Sequence, residues 1–272
     1  MRTGLAAFIA VLAVAIPETA PAERPPLRAE VVGHSVQDRP IRLVRVGDPA
    51  APRTVLVVGC IHGTERAGLA VTRALRRVEP PAGVQLLLLD AANPDGCVRG
   101  TRGNARGVDL NRNFPRAWRP LRGVFASGPR PSSEPETRAA QRLILRERPS
   151  VTVWYHQALN WVDLQPGSNR RLMRLYARTA GMRATRTPLL PGTVARWQNH
   201  RLPGRTAFVV ELPAGRLAPA AVFAHRRAVL ALAAEVAPRS GERAGSPRSS
   251  AGTRGVGARR LAGERKPANL HP

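Results

Sequence analysis

Five short runs of β-branched residues and leucine frame this chain: 41–46, 54–59, 84–90, 151–155 and 207–212. Each is apolar almost without interruption, so each reads as a strand buried on both faces rather than one with a wet side. Helical spacing fills the gaps. The segment 64–78 places Leu69, Thr72, Leu75 and Val78 three to four residues apart, and 168–182 and 218–236 read the same way. Ser133-Glu134-Pro135-Glu136 has the form of a capping box with an early proline, opening a helix that runs to about residue 146. Buried strands alternating with helices imply an α/β fold, with a mixed, mainly parallel central sheet and helices on both faces.

In such sheets, ligand-binding groups collect just beyond the carboxyl ends of the strands. His62 follows the run 54–59, Asn93-Pro94-Asp95-Gly96 follows 84–90, His156 follows 151–155 directly, and Glu211 closes 207–210. Four polar interruptions therefore fall where a shared cleft would open. His62 and Glu65 stand three residues apart at a strand-to-helix turn, where their side chains can converge. With His156 they make two imidazoles and a carboxylate, the ligand set that leaves one position of a catalytic zinc open. Glu211 is an acid inside an apolar strand, and acids are rarely buried without a partner. It reads either as the ion-pair partner of an arginine or as a general base, with burial raising its proton affinity and a nearby zinc opposing that shift. Residues 93–114 are dense in glycine, asparagine and arginine, and 109–113 there lies on a second strand-like run.

Composition narrows the classes. Two cysteines, Cys60 and Cys97, exclude a disulfide-rich scaffold and a four-cysteine zinc site. No apolar run reaches the roughly 20 residues of a membrane span. The net charge is +25 and Lys266 is the single lysine, but the arginines are spread through every segment. That spread argues against a specific nucleic-acid surface, which would gather them on one face. Its field favours acidic partners such as anionic cell-wall polymers and carboxylate-bearing substrates. Residues 1–22 read as a signal peptide: Arg2, an apolar stretch over 4–16, then Ala20-Pro21-Ala22 before the cut. Export to a secreted or wall-associated location follows, with no membrane span left after cleavage. It makes a Cys60–Cys97 bond chemically permitted without saying that the two meet. Residues 23–238 then form the folded domain, and 239–272, rich in Gly, Ser, Pro and Arg, a disordered basic tail.

Taken in order, His62-x-x-Glu65, Asn93-Pro94-Asp95-Gly96, Arg102-x-Asn104, Gly107-Val108-Asp109-Leu110-Asn111-Arg112-Asn113-Phe114, Ser133-Glu134-Pro135-Glu136-Thr137, His156 and Glu211 resemble the zinc metallocarboxypeptidases of the carboxypeptidase A-like type. The short length is similar to the bacterial single-domain branch that includes murein peptide amidases. The resemblance implies one Zn2+ per chain held by His62, Glu65 and His156. It implies that Glu211 takes a proton from water and passes it to the leaving amine, and that Arg102 stabilises the oxyanion. Asn111 and Arg112 would clamp the free C-terminal carboxylate of a peptide substrate, cell-wall peptides among them. Digestive members also carry a mobile tyrosine upstream of the catalytic glutamate. Here that region reads Leu189-Leu190-Pro191-Gly192, so Trp197 or His200 is expected to cover the substrate instead. Spacing from Glu211 puts 194–196 at the specificity pocket, with Arg196 favouring an acidic side chain or the extra carboxylate of diaminopimelate. Residues 23–38 are too few for a folded inhibitory propeptide. Two other readings stand beside this one: a zinc deacylase of the aspartoacylase or succinylglutamate desuccinylase kind, and a metal-free module for anionic wall polymers.

Overall fold

A computed structural model describes residues 27–239; the leader at 1–22 and all of the basic tail but its first residue lie outside the described residues. The five expected strands form β2 (Pro40–Val46), β3 (Arg53–Cys60), β4 (Val84–Ala91), the first part of β5 (Val151–Asp163) and β7 (Thr206–Pro213). Two further strands join them, β1 (Leu27–His34) and the short β6 (Arg183–Thr185). β1 sits at the sheet edge with mostly exposed or partly exposed residues, so it lacks the apolar run that marks the interior strands.

The sheet order is β1-β2-β4-β3-β5, with β7 and β6 both on β5. Pairing is antiparallel on the β1–β2–β4 side and parallel from β4 through β3 to β5. β5 is longer than its apolar run because it doubles back. Its register with β7 ascends from Val151↔Thr206 through His156↔Glu211 to Ala158↔Pro213, then reverses from Trp161↔Glu211 to Asp163↔Val209. The two arms of β5 thus flank β7, and the turn between them contains Asn160 at φ 54°, a left-handed conformation that asparagine tolerates.

Alternate residues along the central strands feed two separate cores. Val55, Val57, Leu86 and Leu88 point to one face, where they meet α1 (Gly68–Leu75), α4 (Arg170–Ala180) and α6 (Pro219–Val236). Leu56, Val58, Leu87 and Leu89 point to the other, against α3 (Pro135–Glu147) and α5 (Val194–Arg201). The period of two, with both faces covered, is the physical reason those runs are continuously apolar. Among the described residues no helix is long and apolar enough to cross a membrane.

Two local expectations need correction. The segment 109–113 is not strand but a single 3-10 turn, Leu110–Arg112, capped by the Asp109 carboxylate, which accepts from the Asn111 N–H. Nor does the capping box form. Glu134 is the N-cap of α3 without a side-chain cap bond. The Ser133 hydroxyl donates to Glu134 at 2.7 Å, and the Asn104 amide bridges Glu134 and Glu136 at 2.8 and 3.1 Å. The acids fasten the arginine-rich loop to the helix start instead of capping the helix.

Cys60 and Cys97 are disulfide-bonded, closing a separation of 37 residues and tying the end of β3 to α2 (Pro94–Arg99). Replacing both with serine is expected to lower stability by about 2–4 kcal/mol, the scale for closing a loop of this size, read as a fall in urea midpoint.

A buried polar chain runs behind the sheet: Tyr155 to Tyr176 at 2.8 Å, and the Tyr176 hydroxyl to His225 Nδ1 at 2.8 Å. Burial depresses the His225 pKa from 6.5 to about 4. Between those values the unfolded chain takes up a proton that the folded chain refuses, so stability falls as pH drops through that window. The loss is on the order of 3 kcal/mol, complete near pH 4. Thermal melts across this range should slope for the wild type and flatten for His225→Gln.

Candidate active site

The carboxyl ends of β3, β5 and β7 open on one cleft of about 340 Å³, lined by His62, Glu65, Arg102, Asn111, Arg112, His156 and Glu211. All seven had been singled out from the sequence. His62 leaves β3 in a tight turn in which the Glu65 N–H donates to the His62 carbonyl at 2.9 Å, so the two side chains stand over the same point. Gly63 sits within that turn because a Cβ there would collide with the backbone of Gly96 and Cys97. His156 lies near the end of the first arm of β5, directly beside Glu211 in the β5–β7 register.

His62 Nδ1, His156 Nδ1 and one Glu65 oxygen converge, with separations of 3.1 Å between the nitrogens and 3.0 and 2.9 Å from the oxygen to each. Zinc bonds of ~2.0 Å in a tetrahedron set ligand atoms ~3.3 Å apart, so a single ion reaches all three with little movement. The His62 tautomer agrees. Asp109, buried and acceptor-only, accepts a hydrogen bond from the His62 Nε2–H at 2.8 Å and leaves Nδ1 with its lone pair toward the cluster. Burial alone would raise the Asp109 pKa, but the His62 hydrogen bond and the charges of His62, Arg102 and Arg112 hold it at about 2. Burial likewise pushes Glu65 upward and is outweighed by the bonds from His156 and His62, which keep it well below the usual carboxylate range. For His156, burial comes first and the neighbouring His62 adds to it, so its pKa is lowered despite Glu65. These residues fit a divalent zinc: three buried donors of the right type on one point.

Glu211 behaves differently. Burial and the Glu65 charge raise its pKa from 4.5 to about 7, and its Oε2 is buried with no hydrogen-bond partner. No arginine pairs with it among the described residues, so the ion-pair reading of this acid does not hold.

Arg102 donates to Asp109 at 3.0 Å and to Glu65 at 2.8 Å, and Arg112 is buried with its guanidinium on the Asn111 carbonyl at 2.8 Å. Both guanidinium groups lie over the Phe125 ring at 5.3 Å. The Asn111 side chain accepts from the Val194 N–H at 3.0 Å, and its amide lies 3.4 Å from His156. Gly192, at φ +65°, passes so close to the Arg112 carbonyl that no side chain fits there.

Three placements differ from expectation. Arg196 is off the cleft; on α5 the lining residue is its neighbour Ala195, because successive helical positions point about 100° apart. Trp197 is buried against Phe114, with ring centroids 5.4 Å apart, and belongs to the core. His200 is exposed outside the cleft lining. The rim is formed by Phe125, Leu159 and Leu190 instead. Asp95 of the Asn93-Pro94-Asp95-Gly96 motif is buried on Ser35 at 2.8 Å and Arg39 at 2.7 Å, and so has a structural task.

A family model described as zinc carboxypeptidase matches residues 82–183, the segment that contains Arg102, Asn111, Arg112 and His156. Murein peptide amidase A of Escherichia coli (strain K12) is 36% identical over 154 residues, covering 51% of this chain and 62% of that protein. The crystal structure of murein-tripeptide amidase MpaA from Escherichia coli O157 superposes with a TM-score of 0.64 at 26% identity, over 80% of this chain and 96% of the other. Over residues 82–183 the chain is similar to the zinc carboxypeptidases. The match spans about 62% of the length of the curated E. coli relative. Carboxypeptidase A from Helicoverpa armigera shares the fold, with a TM-score of 0.64, 19% identity and coverage of 77% of this chain and 69% of that one. The cleft of this chain is built from the doubled-back β5, the His-Glu-His group and the β7 acid whose Oε2 has no hydrogen-bond partner among the described residues. The ligands His62 and Glu65 and the acid Glu211 lie outside the matched segment and are brought to it only by the fold.

Proposed function

We propose that this protein is an exported zinc-dependent carboxypeptidase that hydrolyses the C-terminal amide bond of peptides, murein peptides foremost. One observation carries the reading: a half-buried glutamate, Glu211, whose Oε2 is buried and unpartnered, stands beside a convergent His62-Glu65-His156 group, in a cleft that also holds Arg112. Zinc, when bound by those three, supplies Lewis acidity toward the scissile carbonyl and toward water. Glu211 takes the proton of the attacking water and hands it to the leaving nitrogen. Its raised proton affinity suits a base that must give the proton up again. Arg102 donates to the oxygen that gains negative charge. Asn111 and Arg112 hold the terminal carboxylate, a planar target for a guanidinium fork. The names of the E. coli relatives support murein peptides as the substrate class. The leader-like first 22 residues and the Cys60–Cys97 bond support export to an oxidising compartment. The net charge of +25 supports retention on anionic wall polymers.

The test is a panel of peptides and muropeptides offered to zinc-loaded protein, with product masses read out. Release of the C-terminal residue is expected. Arg112→Ala should cut kcat/KM on free-acid substrates about 10- to 100-fold, the worth of charge-assisted hydrogen bonds, and change amidated ones little. Equal losses on both would remove the clamp from the proposal.

A further inference from the structure

The second arm of β5 and the end of β7 put Trp161, Asp163, Val209 and Glu211 on one face of the sheet, paired Trp161↔Glu211 and Asp163↔Val209, and all four line the cleft. Asp163 is 6% exposed. Among the described residues every donor to it is neutral: the Thr187 N–H at 3.3 Å, the Thr187 hydroxyl at 2.7 Å and the Gln165 amide. This is unusual for this chain, where 43 basic residues face 18 acids. Most of the other buried acids have basic partners: Asp95 has Arg39, Glu134 has Arg106, Glu65 and Asp109 have Arg102. A buried carboxylate in a ligand cleft, held in place by neutral donors and given no cation of its own, is poised to receive one from the ligand.

We infer that Asp163 is the specificity-determining residue of the cleft and receives the ammonium group at the end of the side chain of the released C-terminal residue. The inference rests on the carboxypeptidase reading above and names which residue that reaction removes. The geometry suits it. Asp163 is the diagonal neighbour of Glu211 across the β5–β7 pair, roughly 7–8 Å away in such a register. A four-carbon stem spans a distance of that order, and Trp161, which also lines the cleft, offers it apolar surface. The released residue would then be held at both ends by opposite charges, its carboxylate by Arg112 and its side-chain ammonium by Asp163. This replaces the acidic preference expected from Arg196, which does not reach the cleft.

Two measurements test it. Peptides identical except for C-terminal lysine or norleucine are compared for kcat/KM with wild type and Asp163→Asn. Separately, free lysine and norleucine are titrated into the zinc-loaded proteins by calorimetry. Wild type is expected to favour lysine about 10- to 100-fold in both, the scale of a charge-assisted bond. Asp163→Asn should erase most of that preference while handling norleucine as before, which also shows that the variant is folded. Equal treatment of the two amino acids by wild type, or a lysine preference that survives Asp163→Asn, overturns the inference. If no peptide is cleaved but lysine binds in an Asp163-dependent way, the hydrolase reading fails and the subsite stands.

Discussion

Glu211→Gln is expected to lower kcat by about 10²- to 10⁴-fold, the range for removing a general base, while zinc content stays at one per chain. Glutamine preserves the shape of the side chain and the cleft, but its amide cannot accept the proton of water. Glu211 is also none of the three converging donors, so the metal site should be untouched. The decisive combination is kinetics with metal analysis on the same preparation. If the variant turns over at near wild-type rate, the base lies elsewhere. Because burial and Glu65 raise the proton affinity of Glu211, kcat/KM of the wild type should climb with pH as this group ionises. A bound zinc pulls that rise below the value of about 7 that the metal-free surroundings impose on it.

His156→Ala, and separately His62→Ala, should abolish stoichiometric zinc and activity together. Each removes one of only three protein ligands, and Glu65 is left beside a single imidazole. The same variants should lose the zinc-dependent rise in melting temperature that wild type shows. A ligand that binds only the folded state stabilises it by about 2.7 kcal/mol at a hundred times its Kd. Elemental analysis and melts with and without zinc or a chelator provide the readouts. Zinc retained at one per chain in either variant would contradict the three-ligand centre.

Much of this site is legible along the chain because its residues stand where strands stop. His62, His156 and Glu211 each interrupt or end an apolar run, and the interruption is visible without knowing what surrounds it. Asp109 is harder to see. It lies in a stretch that resembles a strand by composition, and its task of orienting His62 depends on a partner 47 residues away. The capping-box pattern misled for a related reason: local rules score Ser133 and Glu136 against their own helix, whereas Asn104 and Val36 donate to Glu136, and the Ser133 hydroxyl accepts from Asn113 and donates to Glu134.

Local pattern determined the buried strands, the helices α1, α3, α4 and α6 and the α/β class, because continuous apolar runs have nowhere to go but between two covering layers; α5 carried no such signal. Local pattern could not foresee that β5 turns back along β7. That reversal is decided by strand pairing across some fifty residues, and no local pattern encodes it. Yet the reversal brings Trp161 and Asp163 face to face with Glu211 and Val209, while the rotation of α5 turns Ala195 inward and Arg196 away. The character of the chemistry was thus written in residue type and order. The lining of the specificity pocket was settled only by three-dimensional packing, since which side chain faces a cavity depends on register and helix rotation.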